Sequence, residues 1–218
     1  MSKMVRAISD MGGVVISAID STDIVKRMEE IHKTSAVVSA ALGRMLTASQ
    51  LMASTLKSAS DTITLRIKAD GPIGLITVAC DGRGHCKGYV ENNVVEIPLR
   101  RDGKLDVGSA VGRNGQLYVV KDIGMKEPYV GSIPLESGEI AEDITAYYAY
   151  SEQIPTVCAL GVLVNPDLSI KCAGGYLLQL LPGATEEEIS LVENNIKNIP
   201  SITNFFESGH DVYDIINT

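Results

Sequence analysis

Val157-Cys158-Ala159-Leu160-Gly161-Val162-Leu163-Val164-Asn165-Pro166-Asp167, followed by a very apolar run from Ser169 to Leu181, decides the fold class. Eight mostly apolar residues, a turn triplet and a second apolar run read as a hairpin. Upstream, Ser137 to Ser151 has Ile140, Ile144 and Tyr147 at i, i+4 and i+7, with Glu139, Glu142 and Asp143 early, so it reads as a helix that Pro155 ends. Before it the period is two. Ile63, Leu65, Ile67 and Ala69 form one face of a strand, and Asp70-Gly71-Pro72 ends it. Leu75 to Cys80 and Cys86 to Val90 flank Asp81-Gly82-Arg83-Gly84 as a second hairpin. Further strands are expected at Val94 to Ile97, Gln116 to Val120 and Tyr129 to Ile133, with turns at Arg101 to Lys104 and Arg113 to Gln116. Strands, then a helix, then a final hairpin give an α+β class rather than alternating βαβ.

Two helices should precede these strands. Val5 to Ala18, around Gly12-Gly13, reads as a strand pair, and Asp20 to Asp23 offers N-caps for a helix carrying Ile24, Met28 and Ile31. Thr34 to Leu56 follows, rich in Ala and in large apolar residues on several faces. That pattern predicts a long central core helix packed on more than one side. Arg44, Gln50 and many Ser and Thr keep it short of the apolar run expected of a membrane span.

Pro182-Gly183 is the clearest boundary, giving a core over 1–181 and a short helical linker over 182–218. Thr185 to Glu188 matches a capping box. Ile189, Val192, Ile196 and Ile199 then form one helical stripe. Pro200 breaks it, Ser201 can cap a helix with Ile202, Phe205 and Phe206, and Gly209 precedes a third piece from His210 to Asn217. The sequence stops inside an apolar helical pattern, which suggests a truncated chain.

The 218 residues carry 19 Lys+Arg against 27 Asp+Glu, a formal net charge of -8, with no Trp and two Phe. The acidic balance disfavours a phosphate-backbone binder, and the scarcity of aromatics disfavours stacking on single strands. No charged, apolar leader opens the sequence, and no membrane signal follows. The cytoplasm, where thiols stay reduced, is therefore the expected compartment.

Candidate chemistry is sparse. Cys80, His85 and Cys86 offer three soft ligands but no fourth, and His85 and Cys86 should point to opposite faces of a strand. Ordinary hairpin residues are the expectation there. Gly82-Arg83-Gly84 with Gly88 misses the spacing of a nucleotide loop. Gly174-Gly175 inside a strand should mark a bulge or a close backbone approach. No catalytic residue is identified. An enzyme with a loop-borne site, using one of the core thiols Cys80, Cys86, Cys158 or Cys172, stands as the alternative.

Several stretches in order resemble the redox-regulated 33 kDa heat-shock chaperones. They include Ala40-Ala41-Leu42-Gly43-Arg44, Asp70-Gly71-Pro72-Ile73-Gly74, Val111-Gly112-Arg113-Asn114-Gly115 and Val119-Val120-Lys121-Asp122-Ile123-Gly124. Ser151-Glu152-Gln153-Ile154-Pro155, Gly161-Val162-Leu163-Val164-Asn165-Pro166 and Ala173-Gly174-Gly175-Tyr176 continue the series. The resemblance implies a non-enzymatic, ATP-independent holdase that binds unfolding proteins during oxidative stress. It implies a core of twisted, mostly antiparallel sheets packed with a long central helix. In that family a linker leads to a zinc domain whose cysteines, spaced Cys-x-Cys and Cys-x-x-Cys, form disulfides on oxidation, after which clients bind and the protein dimerises. This sequence contains neither spacing, so no zinc residue carries over and no cofactor is expected on the chain itself. Ile189, Val192, Ile196, Ile199, Phe205 and Phe206 are the expected client-binding residues, and unfolded proteins the expected partners. A homodimer through exchanged helices is compatible with this pattern.

Overall fold

The computed structural model describes residues 3–217. Two antiparallel sheets hold the long helix between them. One contains β1 (Lys3–Ile8), β2 (Val14–Asp20), β8 (Thr156–Val164) and β9 (Ile170–Leu180), in the order β1-β2-β9-β8. The other contains β3 (Thr62–Ala69), β4 (Ile76–Asp81), β5 (Cys86–Val90), β6 (Gly115–Asp122) and β7 (Tyr129–Pro134), in the order β5-β4-β3-β6-β7. The α+β class, the central helix and the closing hairpin are all as expected.

Helix α1 (Thr22–His32) leads into α2 (Ala36–Ala53). By length and composition α2 is apolar enough to cross a membrane, contrary to expectation, yet 89% of it is buried within the fold. Its small residues are what allow this. A Cβ on Gly43 would lie 2.8 Å from Val25 and 2.9 Å from Val162, so α1 and β8 close on the helix from either side. Ser21, expected as a cap, instead pairs with Thr47 at 2.7 Å, and Asp20 accepts the Thr22 amide at 2.9 Å. Arg44 reaches Glu139 at 2.7 Å, tying α2 to the loop before α4 (Ala141–Tyr147). A π-helical turn, Tyr148–Glu152, follows α4.

The helix expected from Ser137 begins only at Ala141. The preceding turn wraps the fully buried Asp143, which accepts the amides of Glu136, Ser137 and Ile140 at 2.8, 3.1 and 2.9 Å. Val94 to Ile97 is not a strand. The Ser35 hydroxyl takes both backbone groups of Val95, at 3.0 Å from its amide and 2.7 Å from its carbonyl, leaving them none for a ladder. Pro98 then follows. A short helix, α3 (Val107–Val111), lies just beyond, capped by Asp106.

The chain ends in α5 (Glu186–Asn198), α6 (Ile202–Glu207) and α7 (Val212–Asn217). These lie on the outer face of the four-stranded sheet, opposite α2. Hence β9 is buried on both faces, which is why its sequence reads as continuously apolar rather than alternating.

Candidate functional site

The apolar residues beyond Pro182 meet the outer face of β1, β2 and β9 and form a second hydrophobic cluster, distinct from the one around α2. Ile202, Phe205, Val212 and Ile215 are buried in it against Val14, Ala18, Tyr176 and Leu178. Val192, Ile196, Ile199 and Phe206 pack on its rim, each half-buried. The structure thus brings together five of the six expected residues. Ile189, also half-buried, is not part of the cluster.

Helix α5 is held differently from α6 and α7. Its one fully buried side chain is Glu188, and none of its apolar residues is fully covered. The capping box expected at Thr185 is present, with the Glu188 amide donating to Thr185 Oγ1 at 3.2 Å and the Thr185 amide to Glu188 Oε2 at 3.1 Å. The same carboxylate reaches across to the first hairpin. It accepts the Ser9 hydroxyl at 2.8 Å and the Gly13 amide at 3.1 Å. Gly13 has to be glycine for this, because a Cβ there would run into the Glu188 carboxylate and Ala184. The Ser9 hydroxyl, helped by the Thr185 and Gly13 amides, holds the Glu188 carboxyl below its usual range.

Between α5 and the hairpin of β1 and β2 lies an open, mainly apolar groove of about 260 Å³. Val192, Ile196 and Ile199 line one wall, Val14 and Ile16 the other. Ile8, Met11 and Leu191 stand at its mouth, 60%, 56% and 52% exposed. Large apolar side chains left open side by side mark an interaction surface more often than isolated ones do. The α5 stripe and the strand pair carrying Val14 and Ile16 are both legible in the sequence, but their meeting across a groove is not, and Ile8 and Met11 at its mouth carry no periodic signal.

The cysteines depart from expectation. Cys80 and Cys86 are joined in a disulfide across β4 and β5, rather than standing as reduced hairpin residues. His85 pairs with Asp81 at 3.2 Å instead. Among the described residues no cluster of three or more His, Cys, Asp or Glu is placed to hold a metal. The zinc that the resemblance implies therefore does not fit the residues present. Cys158 is buried, and desolvation pushes its thiol up to about 12. Cys172 is raised too, by burial and then by the nearby Glu207 carboxylate. Burial thus disfavours the thiolate at both, which leaves an enzyme built on either of these two thiols without support.

Comparison with known proteins agrees with this picture. A family model described as Hsp33 protein matches residues 2–218. The 33 kDa chaperonin of Acetivibrio thermocellus is 48% identical over 213 residues, covering 98% of this chain and 72% of that protein. That of Clostridium tetani is 44% identical over 214 residues, covering 98% and 73%. The crystal structure of the 33 kDa chaperonin of Thermotoga maritima superposes with a TM-score of 0.89 at 37% identity, over 94% of this chain and 70% of that one.

Proposed function

The chain belongs to the Hsp33 family of stress-response chaperones, which are not enzymes, and on that premise we propose that it is an ATP-independent holdase that keeps unfolding proteins from aggregating. The family match over residues 2–218 is the observation that carries this reading. Its components are a core over 1–181 and a helical linker over 182–218 that supplies apolar surface to clients. The cytoplasm is the setting that goes with it, and a homodimer is compatible with it.

The groove beside α5 is the proposed first point of client contact. Val192, Ile196 and Ile199 are already half-open there, and Phe206 lies on the same cluster. Phe205 is buried and joins only if α6 moves away. Burying a Leu-sized side chain contributes about 1.5–3 kcal/mol, so three or four such contacts suffice for a weak, sequence-tolerant interaction. Ile189 contributes least, because it stands off the cluster. Redox control through zinc cysteines is a property of the wider family reading, and this sequence lacks their spacing.

The test is light scattering of a chemically unfolded client diluted into buffer without nucleotide. Aggregation should fall as the protein is raised to a several-fold molar excess. The double substitution Val192→Asp and Ile196→Asp should weaken the suppression while leaving the thermal midpoint of the core in place. Undiminished scattering at excess protein would overturn the holdase reading. Full suppression by the folded double variant would move the client site elsewhere.

A further inference from the structure

We propose that Cys80 and Cys86 form a reversible thiol–disulfide exchange site on the five-stranded sheet, with low-molecular-weight thiols as the co-reactant. The proposal is independent of the holdase reading and of any zinc-bound cysteine.

Register places the pair. Cys80 and Cys86 are direct cross-strand partners at the closed end of the hairpin of β4 and β5, with Cα atoms 4.2 Å apart. The loop between them is fixed by Asp81, whose carboxylate accepts the Arg83 and His85 amides, both at 2.9 Å. Each sulfur is therefore held where the other must be found, so the bond re-forms without a search of loop conformations.

Access is one-sided. Cys80 is 1% exposed and belongs to the main core cluster. Cys86 is half-buried, on the strand at the edge of the sheet. His85 and Lys87, on either side of Cys86 in the sequence, face the opposite, solvent side of the strand, so a small thiol reaches Cys86 Sγ past the open edge of β5.

The exchange runs in two displacements. An external thiolate attacks Cys86 Sγ, the bond to Cys80 breaks, and the electron pair leaves on Cys80 Sγ, which takes up a proton. A second external thiolate then attacks the external sulfur of the mixed disulfide and releases Cys86 as thiolate. Two external thiols are oxidised to one external disulfide, and the protein disulfide is reduced to two thiols. Reoxidation by an external disulfide reverses both steps.

The site also bears on the sheet. Strand β5 pairs with β4 alone, so the disulfide is a covalent tie on an edge strand. On the helix side the Ser49 hydroxyl lies 3.7 Å from Cys86 Sγ, and Gln50 Nε2 lies 3.4 Å from the Gly84 carbonyl. Reduction should therefore loosen β5 first.

The test is equilibration of the folded chain across a series of glutathione ratios, extended to dithiothreitol, followed by acid quench, alkylation and mass analysis. The peptide with Cys80 and Cys86 should pass from linked to doubly alkylated in one two-electron step and return on reoxidation. Amides of Lys87 to Val90 should exchange about tenfold faster when the pair is reduced. A pair that opens only in denaturant, or one that is never linked, overturns the proposal. In the Cys86→Ser variant the step should vanish. Its persistence there would assign it to Cys158 and Cys172 and equally overturn the proposal.

Discussion

Gly161 and Gly174 face one another across β8 and β9 and set where α6 can lie. A Cβ on Gly161 would sit 2.9 Å from Thr203 and 3.1 Å from Ile202, and one on Gly174 would strike the Phe206 ring. The pair paves a smooth spot on the outer face of the sheet, and α6 rests on it. Sequence reading flagged Gly174 as a bulge or a close approach, and it is the approach. It could not see that Gly161 serves the same helix, because register across a hairpin fixes which residues meet only once the turn is known. Gly161→Val should cost about 1–3 kcal/mol, since the added methyls have rigid neighbours. Thermal unfolding followed by circular dichroism reads this, and an unchanged midpoint would mean that α6 does not rest on this face. Asp143 makes a similar point. Its place in the first turn was legible as dipole complementarity, whereas its buried role gathering four amides required the turn of 136–140 to be seen.

At the scale of elements, legibility followed the strength of the periodic signal. The long apolar helix, the β3 alternation, the β4–β5 hairpin and the Thr185 capping box all carry redundant local patterns, and each formed where its pattern predicts. Helix α3 is five residues of Val, Gly, Ser and Ala with no stripe, so only its Asp106 cap hints at it. Val94 to Ile97 had a strand's composition but lost its ladder to the Ser35 hydroxyl. Both walls of the groove carry a periodic pattern, the α5 stripe and the alternation of β2, but nothing local says that the two come together. The attachment of α5 carries a pH prediction. The Glu188 carboxyl is held below its ordinary value near 4.5 by the Ser9 hydroxyl and the Thr185 and Gly13 amides. A depressed carboxyl stabilises the docked state fully above the unfolded value and loses that contribution as pH falls through the folded one. Docking of α5 should thus be constant from neutral pH to about 5 and weaken below it. Glu188→Gln should abolish most of that pH dependence. Amide exchange of α5 between pH 3.5 and 6, corrected for intrinsic rates, is the measurement, and a wild-type profile in the Gln variant would remove Glu188 as the cause.

The whole molecule is layered: five-stranded sheet, α2, four-stranded sheet, then the C-terminal helices, with two apolar clusters separated by the four-stranded sheet. The inner cluster draws on both sheets and on α1 to α4, so no single element can leave it without opening the rest. The outer cluster is smaller, and its helices are unequally held. Each of α6 and α7 buries two large apolar side chains, Ile202 and Phe205 in one and Val212 and Ile215 in the other. Helix α5 fully buries none, and its covered residue is a carboxylate. Lys3 meets Asp211 at 3.2 Å and Lys171 pairs with Glu207, both exposed, and such pairs add at most about 1 kcal/mol. Local opening should therefore be graded rather than all-or-none. Exchange monitored by mass spectrometry should show α5 exchanging first and α6 with α7 next, while α2, β3, β4 and β6 hold to the global limit. Because α5 forms one wall of the groove, its opening widens the apolar surface offered to a client without unfolding the core. An α5 as protected as α2 would mean that the groove is fixed, and client contact would then have to be confined to the side chains already open at its mouth.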